Sequence, residues 1–292
     1  RVIQGIVFAG LPAIAMAYLG EEIEPASLGA AMGLYISGNS IGGLAGRIIM
    51  GTVSDLFNWR IGMLTIGTIS LLVAIAFYFL LPASKHFNAE RLAFKPLFKS
   101  MVMHLKDPAL LSLFGIGFLL MGSFVTMYNY IGFQLLNPPY SLSQTVVGWI
   151  FLIYLVGTFS SAWMGGLADQ HGRFKILLTG IGLMLVGAVL ALAGNLILKI
   201  FGIAIFTFGF FGGHSIASGW VGQRASHDKA QASSLYLFFY YVGSSVGGTS
   251  GGIFWTKYGW NGVISIILLF LVVASILTYT INKITIKKTR LG

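Results

Sequence analysis

The stretch GNSIGGLAG, Gly38 to Gly46, sets how the rest of the chain is read, because GSSVGGTSG, Gly243 to Gly251, repeats its glycine rhythm 205 residues later. Five of nine positions are identical, and Asn/Ser and Ile/Val exchanges account for two more. Gly38, Gly42 and Gly46 stand four residues apart, with Gly43 beside them, and so do Gly243, Gly247 and Gly251. On a helix that spacing makes one stripe. Small residues so placed let two membrane helices approach closely. One copy asks for no more than a static packing seam. Two copies at matched positions point to two related halves that move on each other.

The composition supplies the membrane. Of 292 residues, 56% are hydrophobic and 9% charged, against about 25% charged in an average soluble domain. The charges cluster between long apolar runs, and about 20 apolar residues cross a bilayer core. Nine spans follow: 1–20, 27–54, 61–82, 109–135, 143–168, 174–194, 198–222, 230–255 and 260–282. The expected class is therefore all-α, a polytopic membrane protein. The net charge of +10 sits in the loops, which argues against nucleic acid as a partner. The absence of cysteine excludes disulfides and thiolate chemistry.

Lysine and arginine favour cytoplasmic loops. One alternate set of loops (85–106, 173–175, 224–229 and the tail 283–290) holds thirteen of them, the other set four. The first set and the C-terminus are expected on the cytoplasmic side. The acidic EEIEP, Glu21 to Pro25, breaks the pattern, but carboxylates weigh little in it. Residues 83–108 read as a linker. Phe94, Leu97, Phe98, Met101, Val102 and Leu105 share one helical face there, which suits a helix lying on the inner membrane surface; a solvated linker is the alternative.

The repeat reaches beyond the glycines. AYLGEE (Ala17–Glu22) precedes the first copy and GWVGQR (Gly219–Arg224) the second, and a turn with a tryptophan follows each, Trp59 and Trp260. Spans one to three thus match spans seven to nine. Residues 1–82 read as the last three helices of one bundle, 83–108 as the linker, and 109–292 as a complete six-helix bundle. At the repeat offset, three spans would precede Arg1, so the chain reads as a C-terminal fragment. Glu21 and Glu22 would then lack the basic loop that is their natural partner and stand unpaired.

Ionisable and polar groups inside spans are candidates for the transport path. His214 lies within an inward-running span. Imidazole titrates near neutrality, so His214 carries a transported proton or else hydrogen-bonds a neighbouring helix. Asn39, Asn129, Tyr154 and Tyr240 stand at cavity depth, and Tyr35 matches Tyr240 by the repeat. Aromatic-rich cavities suit flat, apolar or cationic compounds. Arg1 and Gln4 share one helix face. No phosphate-binding loop, HExxH or paired carboxylate occurs within a span. No enzyme, cofactor or metal site is expected.

At three places the chain resembles the major facilitator superfamily. GGLADQHGRFK, Gly165 to Lys175, is similar to its cytoplasmic-loop signature, with Gly165, Leu167, Asp169, Gly172 and Arg173 in step. RVIQG, Arg1 to Gly5, resembles the helix-four motif of proton-coupled members. GNSIGGLAGR resembles the helix-five antiporter motif, but has Gly43 in place of its proline and Arg47 in place of its final glycine. The resemblance implies helices four to twelve of a two-times-six bundle, nearest to bacterial inner-membrane drug/proton antiporters of the acriflavine-sensitivity type. It implies a monomer that exchanges a small organic compound for protons. It gives Arg1 a role in proton coupling or in meeting substrate charge, with an interfacial anchor as the alternative. It makes Gly165, Asp169, Gly172 and Arg173 a conformational latch, Asp169 meeting a helix N-terminus near Ser27–Ala30. The remaining readings are an uptake symporter, a non-transporting or decayed gene product, and a channel.

Overall fold

The computed structural model describes residues 25–85 and 94–291, with positions 15, 18 and 22 before them. The described chain is helical and contains no strand. Its helices are α1 (Pro25–Leu56), α2 (Trp59–Leu80), α3 (Phe94–Lys106), α4 (Pro108–Leu136), α5 (Gln144–Ile150), α6 (Tyr154–His171), α7 (Arg173–Leu190), α8 (Leu196–Arg224) and α9 (Lys229–Leu291). Short polar side chains start several of them. Asn58, Asp107 and Asn195 each accept two backbone N–H bonds from the first turn that follows. A helix cannot satisfy those donors internally.

Six helical stretches among the described residues are long and apolar enough to cross a membrane, and the last, Gln231–Ile284, has 54 residues and room for two crossings. The first expected span lies outside the described residues apart from isolated positions. Three other spans differ from expectation. The single span over 143–168 is interrupted by a 3-10 turn at Phe151–Ile153. The last two spans follow each other directly, separated only at Gly259, whose φ of 58° and ψ of −146° are open to glycine alone. A Cβ placed on Gly262 would lie 2.5 Å from the Phe254 carbonyl oxygen. Eight residues of straight helix would separate them by about 12 Å, so the chain doubles back at Gly259.

The chain forms two compact units. One comprises Arg1–Leu92 with Gln144–Phe151, the other Ala93–Ser143 with Leu152–Gly292. In the first, α1 packs on α2 and α5. The Asp55 carboxylate accepts the N–H groups of Gln144 (2.9 Å) and Thr145 (2.6 Å) at the start of α5. The Arg47 guanidinium stands 4.1 Å over the Phe151 ring. Glu22, expected to be unpaired, accepts from the Ser84 hydroxyl (2.5 Å) and the Lys85 N–H (2.7 Å). The end of the third span returns to it, while Glu21 lies outside the described residues.

In the second unit two seams bring helix backbones together. Gly243 and Gly247 of α9 lie against the Phe118 and Gly122 carbonyls of α4, where an added Cβ would come within 2.1 and 2.5 Å of an oxygen. Gly251 faces the Tyr130 ring. Gly180 and Gly187 of α7 meet Gly209 and Gly202 of α8 in the same manner. The core around them is aliphatic and aromatic, with Leu113, Phe114, Ile116, Leu120, Phe206 and Ile267 fully enclosed. α3 packs on α4 and α9. It buries Ser100 and His104 and leaves Phe98 exposed, so its inward face is not centred on the apolar stripe. His104 stacks on His227 with 4.5 Å between ring centroids.

Candidate functional site

Four helices of the second unit bring aromatic and polar side chains to one place. α4 supplies Phe124 and Tyr128, α6 supplies Tyr154, α8 supplies Thr207, Phe210, Phe211 and His214, and α9 supplies Tyr236 and Tyr240. The helical repeat explains the grouping: Phe124 and Tyr128, Phe210 and His214, and Tyr236 and Tyr240 are each four residues apart and share a face.

His214 Nδ1 lies 2.9 Å from Tyr236 Oη, and its ring is 4.5 Å from that of Tyr240. Tyr236 is 1% exposed and fits only because residue 117 is glycine, where a Cβ would come within 2.7 Å of the ring. On the other side Phe210 stacks parallel to His214 and to Phe124 at 3.9 Å. Tyr128 and Tyr154 meet edge to face at 4.8 Å. Tyr128 Oη shares a 2.7 Å hydrogen bond with Thr207 Oγ1. A half-buried imidazole thus sits in a wall of rings, tied to a buried phenol.

The described carboxylates of the second unit, Asp107, Asp169 and Asp228, stand at helix ends or between helices. In the second unit Asp169 pairs with Arg173 at 2.9 Å, and Asp107 with Arg224 at 3.5 Å. His214 is therefore the one group near the middle of α4, α6, α8 or α9 that ordinarily gains or loses a proton near neutrality. Nothing in the cluster is a metal-binding set, and no group of three or more candidate metal ligands occurs among the described residues.

Of the residues expected at the site, Tyr154, His214 and Tyr240 come together here. Asn129 is exposed and its amide faces Gly248. Asn39 lies on α1, in the other unit, and Arg1 and Gln4 lie outside the described residues. Gly165, Asp169 and Arg173 line a small depression with Ser215 and Gly219. Gly172 makes the α6–α7 turn with φ of 90°, a conformation that favours glycine. Beside Gly38, Gly42, Gly43 and Gly46, nothing among the described residues comes within 4 Å of an added Cβ. Sequence reasoning passed over Tyr128, Thr207 and Tyr236. Tyr236 was accessible from its spacing to Tyr240, whereas Tyr128 was masked by the more polar Asn129 beside it.

Known proteins fit this architecture. The sequence model of the Major Facilitator Superfamily matches residues 1–140 and 123–290. An uncharacterized MFS-type transporter of Bacillus subtilis is 56% identical over 94% of this chain and 68% of its own length. An inner membrane transport protein of Escherichia coli is 49% identical over 94% of this chain and 66% of its own. The chain thus spans about two thirds of these relatives. A bacterial homolog of the human lysosomal transporter Spinster, solved in an inward-facing and unoccupied conformation, superposes with a TM-score of 0.66 over 94% of this chain and 74% of its own, at 15% identity. The chain is a multi-pass membrane protein, a transporter and not an enzyme, and it belongs to the Major Facilitator Superfamily.

Proposed function

We propose that the protein is a proton-coupled secondary transporter of the bacterial inner membrane that moves a small organic compound by alternating access, with efflux by antiport as the direction. The chain corresponds to helices four to twelve of a twelve-helix plan, with its C-terminus on the cytoplasmic side. The reading is carried by the His214–Tyr236 hydrogen bond inside the aromatic cluster. A transporter driven by protons needs a group that changes charge within the membrane, and the described carboxylates of the second unit stand at its helix ends. The surrounding rings suit a flat apolar or cationic compound.

The test is transport in reconstituted vesicles with a lumenal pH indicator and a panel of lipophilic cations. Efflux by antiport gives lumenal alkalinisation when substrate is added outside inward-acidified vesicles. Uptake by symport moves pH the opposite way. The departures at Gly43 and Arg47 from the antiporter motif favour that second reading, since Arg47 is engaged with Phe151 instead of leaving a bare glycine surface. Substrate flux with no pH change would remove proton coupling.

A further inference from the structure

Lys199 is 1% exposed, although lysine is almost never fully buried without a partner. Its Nζ donates to the Ala191 carbonyl. That carbonyl also accepts from Trp260 Nε1 at 2.8 Å, so Lys199 shares its acceptor. The ammonium lies 5.1 Å from the Trp260 ring centroid and 5.7 Å from that of Tyr140. An ammonium carries three donors, and Ala191 takes one. The charge lies just beyond the C-terminal end of α7, which contributes the equivalent of about half a negative charge. That compensates part of a buried cation and leaves the rest.

A cavity of about 340 Å³ opens beside this group, lined by Lys199, Gln134, Tyr140, Tyr258, Trp260 and Asn261 together with loop backbone. Among the described residues no carboxylate lines it. The Gln134 and Asn261 amides add neutral donors. The Tyr140 hydroxyl is held by the Gly194 carbonyl at 2.7 Å, and burial raises its pKa, which keeps it neutral. Trp260 is buried and Tyr258 is exposed, so a flat apolar body finds a ring on the inner side and another at the mouth. The volume sits at the small end of ligand pockets, which run from about 300 Å³ upward. The site is distinct from the His214 cluster: Lys199 precedes His214 by fifteen residues of α8, or about 22 Å along the axis.

We propose that this cavity binds a small organic carboxylate, its anionic head on Lys199 and its flat body between Trp260 and Tyr258. The anion completes the neutralisation that the α7 terminus begins. A cation would meet an uncompensated ammonium, and a neutral compound would leave that charge as it is. The site does not depend on the direction of transport or on proton coupling, and its readout is binding alone.

The experiment uses the purified protein in phosphatidylcholine nanodiscs and follows tryptophan fluorescence while benzoate, or its neutral isostere benzamide, is added. The expected result is a saturable change with benzoate that benzamide does not give, and that Trp260→Phe removes. Lys199→Met should weaken benzoate at least about tenfold, the scale of one charge-assisted hydrogen bond, while Lys199→Arg retains binding. Benzamide binding as tightly as benzoate, no saturable change, or a folded Lys199→Met within about twofold of wild type would overturn the proposal. So would displacement of benzoate by equimolar chloride, which would assign the cavity to inorganic anions. If Lys199→Met does not fold, the benzoate–benzamide contrast on the wild-type protein decides.

Discussion

The Asp55 carboxylate holds the first turn of α5 with both of its oxygens, one on the Gln144 N–H and one on the Thr145 N–H. A helix N-terminus offers unsatisfied donors and a positive dipole end, and a carboxylate answers both. Asp55→Ala should therefore lower unfolding stability by about 1 kcal/mol, the usual worth of such a cap. Asp55→Asn keeps one acceptor and should lose less. Thermal unfolding in a mild detergent distinguishes the two. Equal losses would mean that charge, and not the hydrogen-bonded cap, is what matters.

Asp107 performs a similar task in the other unit, and it also pairs with Arg224. Its Oδ1 accepts from Ala109 N (2.8 Å) and Leu110 N (3.2 Å), while Oδ2 lies 3.5 Å from the Arg224 Nε. The cap is worth about 1 kcal/mol, whereas a partly exposed ion pair contributes about 0–1 kcal/mol. Asp107→Ala should thus destabilise more than Arg224→Ala, and Asp107→Asn should sit close to wild type. If Arg224→Ala cost as much as Asp107→Ala, the pair and not the cap would anchor the start of α4.

Much of the fold was legible in the sequence because apolar length and glycine spacing act locally. The repeat singled out Gly243, Gly247 and Gly251, and the structure sets these three against α4. It did not reveal the Gly180/Gly187–Gly202/Gly209 seam, whose spacing of seven is spread over two helices. The break at Phe151–Ile153 has no proline or glycine to announce it. The site was legible in part: His214, Tyr154 and Tyr240 were singled out as polar groups in apolar runs. Their meeting depends on which faces α6, α8 and α9 turn to one another, and pattern alone does not give that. The latch makes the same point. Asp169 was expected on a helix N-terminus near Ser27–Ala30, which belongs to the other unit; within its own unit Asp169 pairs with Arg173.

The glycine repeat itself is open to test. An alanine at Gly247 would press its Cβ to 2.5 Å from the Gly122 carbonyl oxygen, and overpacking of this kind costs about 1–3 kcal/mol. Gly247→Ala should lower the melting temperature and impair assembly. If the two halves are equivalent in packing, Gly42→Ala should cost a similar amount. A Gly42→Ala protein with unchanged melting temperature would show that the first stripe has no close helix partner, and the moving-halves reading of the repeat would fall.

His214 distinguishes a proton carrier from a structural hydrogen bond. His214→Gln keeps a polar side chain beside Tyr236 Oη but removes the group that titrates near neutrality. The expected outcome is a folded protein that still binds substrate and has lost proton movement linked to flux. Tyr236→Phe removes the partner and leaves the imidazole; it should keep coupling and shift its pH dependence. The comparison is made in reconstituted vesicles, with substrate binding measured separately from lumenal pH. Full proton-linked flux in His214→Gln would return the residue to a structural role. Loss of binding together with flux in both variants, with folding intact, would place the pair in substrate recognition instead. Coupling lost in His214→Gln and kept in Tyr236→Phe would leave the imidazole itself as the group that takes up and releases the proton.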